Sequence, residues 1–284
     1  MRSLRAALLS SLCLGPLPAV AGDIDSEHMF GFTEGSDFGG KGELEIEYSA
    51  FGRLGRARGR YSALSGGLSA KYSVTDDFRI APGFFIARHD ISGVPGLPQR
   101  SATSPEGIEL EFKYRLWRRD EHGFGLTLGV KPTFARIDGG AGLRSSEFPT
   151  SFFARFDKEI VPDTMLVALN VDYETGFGRT PGMTVWNRAS ALSLSAGTSL
   201  RIVGRLFMGG EARYVRTTDG SFLNRFSGHA LFIGPNLFYK PTDHSFISAV
   251  WNRQVAGRAD GLPGRFDLDN FERNEMRIVY GVAF

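Results

Sequence analysis

The sequence predicts an all-β protein, a transmembrane antiparallel up-and-down β-barrel of about 12 strands. Three observations carry this reading. Apolar and polar residues alternate with a period of two through most of the chain, the first residues form an export leader, and the last strand closes on Phe284. The 284 residues are 42% apolar and 12% aromatic, with 36 Gly, 24 Phe and a single Cys, which favours strands and tight turns over helices. No apolar run approaches the roughly 18 residues of a membrane-spanning helix.

The leader comes first. Arg2 and Arg5 form a basic end, residues 6–14 an apolar stretch, and Ala19-Val20-Ala21 a small-x-small cleavage site, so residues 1–21 read as a cleaved secretory signal peptide. Cys13 lies within the apolar stretch behind Leu12, the wrong context for lipidation, and the exported chain carries no disulfide or thiol site. Arg2 and Arg5 also account for the whole net charge of +2, which removes the electrostatic footprint of a nucleic-acid-binding protein. Residues 22–41 read as a polar periplasmic lead-in and residues 42–284 as the barrel.

Alternating segments fall at 42–53, 58–74, 78–90, 106–117, 124–137, 150–160, 164–175, 188–200, 204–217, 226–239, 245–256 and 272–284. In the clearest, Phe124, Leu126, Leu128, Val130, Pro132 and Phe134 share one face while Gly125, Thr127, Gly129, Lys131 and Thr133 share the other. A β-sandwich would alternate too. Strands of ten or more residues, aromatics near the stripe ends (Tyr114, Phe124, Phe134, Tyr173, Tyr214, Tyr239) and turns that alternate short and long favour a barrel in an outer membrane. Pro82, Pro132 and Pro235 fall on outward faces, where a missing ladder donor predicts bulges or strand boundaries.

The C-terminal strand, with Met276, Ile278, Tyr280, Val282 and Phe284 on one face, resembles the last strand of bacterial outer-membrane proteins. That resemblance implies a Gram-negative outer membrane, with Tyr280 and Phe284 as a signal for the barrel assembly machinery. Near the start, Phe32-Thr-Glu-Gly-Ser-Asp37 followed by Gly42-Glu-Leu-Glu-Ile-Glu-Tyr48 resembles the outer-membrane transporter family of the meta-pathway of phenol degradation over about twenty residues. It implies a barrel associated with uptake of small, hydrophobic molecules.

The candidate lumen wall is the charged face: Glu109, Glu111, Lys113, Arg115, Lys131, Arg155, Asp157, Asp172, Glu174, Glu211, Arg213 and Arg277, with Glu43, Glu45, Glu47, Arg79 and Glu159 beside them. Both signs intersperse, which predicts cross-strand ion pairs around water. On one strand Glu109 and Glu111 form an acidic half and Lys113 and Arg115 a basic half. Arg53, Arg56, Arg58 and Arg60 cluster at the first outer connection, where guanidinium groups suit lipopolysaccharide phosphates.

No Gly-x-Ser-x-Gly, His-Glu-x-x-His or glycine-rich phosphate loop occurs, and Ser227 and His229 share a strand face without facing each other, so no catalytic residue, metal ligand or cofactor is expected. The functional reading is a narrow passive channel or uptake protein for small solutes. A structural or adhesive barrel with a plugged lumen and an outer-membrane hydrolase are the alternatives.

Overall fold

In the computed structural model, which describes Ile24 and residues 26–284, each alternating segment becomes a strand paired antiparallel with its neighbours in sequence. The strands are β1 (Leu44–Leu54), β2 (Arg60–Thr75), β3 (Phe78–Ser92), β4 (Arg100–Trp117), β5 (Gly125–Ile137), β6 (Arg144–Val161), β7 (Met165–Arg179), β8 (Asn187–Val203), β9 (Leu206–Asp219), β10 (Arg225–Thr242), β11 (Ser245–Ala259) and β12 (Asn274–Ala283). β1 also pairs with β12, from Glu45 opposite Ala283 to Leu54 opposite Asn274, so the sheet closes into a barrel. Closure satisfies every strand edge, the condition for a sheet to sit in hydrocarbon. The expected leader at residues 1–21, with Cys13, lies outside the described residues.

One end of the barrel carries the short turns, the one-turn helix α1 (Arg119–His122) and the C-terminus. The other carries the longer loops, and outer-membrane barrels place those outside the cell. Several strands run further towards the long loops than their apolar stripe. β4 begins at Arg100 and β6 at Arg144, both earlier than the alternation predicts, because residues 100–105 and 144–147 lack an apolar face while still hydrogen-bonding as strand. Period-two patterning marks only the part of a strand with two different solvents at its faces.

The outer surface is a band of exposed apolar side chains, among them Leu68, Phe84, Ile108, Phe152, Leu169, Leu194 and Ile278. Aromatic stacks edge it at both rims. Phe134, Phe148, Phe177 and Trp186 pack in sequence near the long loops, and Trp117, Phe124 and Phe156 near the short turns, with neighbouring centroids 5.1–5.4 Å apart. Inside the wall, Phe85, Phe153 and Phe246 each lie over the glycine paired with them on the next strand, Gly67, Gly129 and Gly281. A Cβ at Gly67 would stand 2.3 Å from the Phe85 ring, so glycine is what lets the ring lie flat on the wall.

The prolines correct one expectation. No bulge marks them. Instead, two residue pairs drop out of one flanking ladder with the register unchanged: beside Pro82 between Ser69–Gly83 and Tyr72–Ile80, beside Pro132 between Glu109–Thr133 and Phe112–Val130, and beside Pro235 between Ile233–Arg253 and Asn236–Val250. Each proline has lost a donor on one side and kept its pairing on the other, to Leu110, Thr150 and Gly210.

Candidate functional site

The interior is occupied. Residues 26–38, expected as a periplasmic lead-in, turn into the barrel, and most of them are buried against its wall. The reason is local chemistry: the segment offers turn backbone, the three carboxylates Glu27, Glu34 and Asp37, and the large apolar side chains Met29, Phe30, Phe32 and Phe38, and the wall presents partners for them. The carboxylate of Glu211 accepts the N–H groups of Gly31, Phe32 and Thr33, a nest of consecutive donors closed on an anion. The N–H of Ser36 donates to Asp157, while the Ser36 carbonyl accepts from the Thr127 hydroxyl at 2.6 Å.

Towards β1–β6 the contacts are ionic. Glu27 receives both terminal nitrogens of Arg79 in a fork and Lys113 Nζ at 3.0 Å, with Lys71 Nζ at 3.5 Å. Glu34 takes Lys113 Nζ and Arg155 Nε, each at 3.2 Å. His28 stacks on Phe246, with its Nε2 3.1 Å from Glu45. His28, Glu45 and Glu47 are close enough to share a cation, and Lys71 Nζ stands in that position, 2.9 Å from Glu45 and 2.6 Å from Glu47. Towards β7–β12, beside the polar contacts of Glu211 and Arg277, lie the apolar ones: Ile24, Met29 and Phe30 pack with Leu166, Phe207, Phe238, Phe246 and Val279 into a buried cluster. Burying Met29 and Phe30 contributes about 1.5–3 kcal/mol each. The segment is therefore amphipathic across its width, and the barrel interior is amphipathic to match.

The twelve side chains expected on the lumen wall all point inward, yet few are free to meet a solute. Lys113 and Arg155 grip Glu34, Arg115 bonds the Phe38 carbonyl and covers its ring, and Asp157 and Glu211 hold backbone of the segment. Arg277 donates to the Gly31 carbonyl at 3.0 Å, and Arg213 pairs with Glu275 while lying over the Phe32 ring. Cross-strand pairs join Glu109 to Lys131 at 3.4 Å, Arg155 to Asp172 at 2.8 Å and Arg79 to Glu111 at 3.7 Å. Glu174 accepts from the Ser151 hydroxyl in the wider outer part. The acidic and basic halves of β4 therefore do different work: the basic half holds the segment, and Glu109 and Glu111 pair with other strands.

Asp37, near the short-turn end, shares the Arg119 guanidinium with Asp157 and Glu159. Burial and the nearby Asp157 push its carboxyl up to about 6 against the pull of Arg119, because one cation serves several carboxylates.

Two chambers remain on either side of the segment. The inner one, about 460 Å³, opens among Arg118, Arg119, Asp243 and His244 at the short turns. The outer one, about 370 Å³, is walled by Phe32, Phe51 and Phe85 together with Glu106, Lys131 and Arg277. Between them lies a gap of about 20 Å³ bordered by Glu27, His28, Glu34, Glu47, Lys71 and Arg277. That is room for a single water.

The four arginines of the first outer connection separate, which corrects the expectation of one lipid-facing cluster. Arg53 bonds the Gly139 carbonyl, and Arg56 bonds the Asp269 carbonyl and lies 3.7 Å from Glu272, so both are turned to the loops at the mouth. Only Arg58 and Arg60 are exposed. Two loops fold over this mouth: Gly139 and Gly140 reach His89 and Tyr61 across it, and Gln254 holds the backbone of Asp267 and Glu272. Tyr280 and Phe284, the expected assembly signal, are both exposed. Ser227 bonds Asp219, while His229 packs on Tyr214 and Phe226, so no serine–histidine pair forms among these residues.

A family described as of unknown function, DUF6662, matches residues 22–284. The chain belongs to that family. The family shown is thus DUF6662, not the meta-pathway transporters that residues 32–48 resemble. No curated protein sequence matches the chain. Among solved structures, an outer membrane channel from Pseudomonas putida F1 is similar over 88% of this chain and 97% of its own, at 12% identity and a TM-score of 0.57. The NanC porin is similar over 84% of this chain and 98% of its own, at 9% identity and a TM-score of 0.50. At these identities the likeness is one of fold: a closed barrel of the kind found in Gram-negative outer membranes.

Lys71 and the inward Phe207, Phe238 and Phe246 belong to the site and were not singled out by sequence. Lys71 follows Ala70 in a stretch whose outward face is weakly apolar, and an aromatic on an inward face reads as noise until the segment it packs against is known to be inside.

Proposed function

We propose that this protein is a passive outer-membrane channel for small solutes, closed at rest by its own N-terminal segment. The observation that carries the reading is the pair of chambers meeting at a gap the size of one water, bordered by side chains of both segment and wall. A barrel of twelve strands is wide enough for a narrow path only if nothing fills it. Here the filling is a single tethered strap held largely by polar contacts, which can leave without disturbing the ladder. The phenylalanines beside Lys131 and Arg277 in the outer chamber suit small amphipathic solutes with a ring or short apolar body and an ionised group. The uptake of small hydrophobic molecules implied by the meta-pathway resemblance, and the description of the two similar structures as a channel and a porin, agree with this class.

The second reading, a barrel permanently plugged for structural purposes, is favoured by the same narrow gap. Swelling of proteoliposomes in isosmotic small solutes separates the two. Swelling with benzoate-sized solutes but not with trisaccharides, slow in the parent and fast in Glu27→Gln, is expected for the channel, and none with any solute in either would establish the plugged barrel.

A further inference from the structure

The outer face of the wall carries a recess that the channel reading does not use. Three small outward residues adjoin one another where β1 meets β2: Ala50 lies opposite Gly66, and Gly52 is two residues further along β1. Ile278 stands opposite Ala50 and Ile86 opposite Gly66, while the Met276 and Leu64 side chains fold over Gly52 and close that end of the recess, leaving Ala50 and Gly66 as its floor. The result is a groove of about 360 Å³ on the lipid side, with Tyr48 at one end and Arg88 and Thr103 at the other. Its walls are apolar and outward-facing: Leu64, Ile86 and Ile278 are all exposed.

Above the groove, towards the long loops, the same outward face changes character. Arg88 lies opposite Leu64 and Thr103; the next outward row holds Ser62, Asp90 and Ser101, and the one beyond it Arg60 and Ser92. From Leu64 to Arg60 the strand rises about 13 Å. Over that height the surface offers hydroxyls and two guanidinium groups, with Arg58 exposed just beyond. Asp90 pairs with Arg88 at 3.1 Å on an open surface, so Arg60 and Arg88 together still leave positive charge there. An apolar slot ends at cations, and the cations lead into a tall strip of hydroxyls.

We propose that this face is a binding site for the phosphorylated glycolipid of the outer leaflet, lipopolysaccharide, with one acyl chain in the groove over Ala50 and Gly66 and a phosphate at Arg88 and Arg60. The choice of ligand follows from the height of the polar strip. A phospholipid head group is satisfied within the first row above the groove, whereas a phosphorylated disaccharide spans the rows from Arg88 to Arg60. The site replaces the four-arginine cluster expected from sequence: two of those arginines face the mouth, and Arg88, thirty-odd positions away in sequence, takes their place through the β2–β3 register.

The test is native mass spectrometry of the detergent-solubilised full chain, titrated separately with deep-rough lipopolysaccharide and with phosphatidylglycerol. Gly66 tolerates a side chain, since its nearest neighbours stand 3.5 Å or more from where a Cβ would be, so Gly66→Leu fills the groove while leaving the wall intact. Arg88→Ala removes the phosphate contact, and Ala212→Leu on β9 is the control on a remote part of the lipid-facing wall. The parent and Ala212→Leu should bind one lipopolysaccharide per barrel with preference over phosphatidylglycerol. Gly66→Leu and Arg88→Ala should each weaken that binding about tenfold, the loss of one charge-assisted contact or its apolar counterpart, without changing phosphatidylglycerol binding. Equal lipopolysaccharide binding by the parent and Arg88→Ala would overturn the proposal, and so would parental binding of both lipids alike. If Gly66→Leu does not fold, Arg88→Ala decides alone.

Discussion

At the scale of single residues the closed state rests on a few buried charges. Glu27 meets three cations and is buried among them. Removing one member of such a cluster costs about 3–5 kcal/mol, because the partners stay buried without their counter-charge. Asp37 acts in the opposite sense. In the folded chain its carboxyl holds a proton up to about 6, against an ordinary value of 3.8, so between those two pH values the docked segment binds a proton that the undocked one releases. Docking is therefore strengthened as pH falls through 6 and weakened as pH rises past it, with no further change below about 3.8 from this group. Proteolysis of residues 26–41 in folded barrels should be severalfold faster in the parent than in Asp37→Asn at pH 7.5 and equal in the two at pH 5. The same ratio at both values would show that Asp37 does not couple the segment to pH. None of this was legible in the sequence, where Glu27, Glu34 and Asp37 look like any acidic lead-in; the carboxylates gain meaning only from Arg79, Lys113, Arg155 and Arg119, far away along the chain.

At the scale of strands the sequence was far more informative, and physics explains the difference. A strand between lipid and lumen must alternate, so Leu194, Ser193 and Ser195 declare their faces directly. The same rule fails beyond the bilayer, where residues 100–105 and 144–147 meet water on both sides and lose the pattern. It also fails to say what a lumen position touches. Thr127 faces inward as expected but is fully buried against Ser36, so a large residue there would expel the segment instead of being tolerated by water. Ser193, opposite Asp172, is only partly buried and contacts no described residue of the segment, and an arginine there would face that carboxylate. On β8, Leu194→Arg should therefore impair refolding into bilayers by about 2–4 kcal/mol, while Ser193→Arg should be near neutral. Equal unfolding free energies for the two variants in a urea titration would contradict the assignment of faces.

At the scale of the whole molecule, two structures share one chain: a ladder that closes on itself and a strap packed inside it. The ladder is written in periodicity, which is local. The strap is written in complementarity, with Met29 and Phe30 against one half of the wall and Glu27 and Glu34 against the other, and no local reading shows that. Because the ladder does not depend on the strap, loosening the strap should open a path and leave the barrel standing. Single-channel recording in planar bilayers of the parent and of Glu27→Gln, both as full chains, tests this most directly. The parent should be closed for most of the record with brief openings, and Glu27→Gln should show long-lived open conductance at the same voltage. Silence in both, or identical records from the two, would contradict the account.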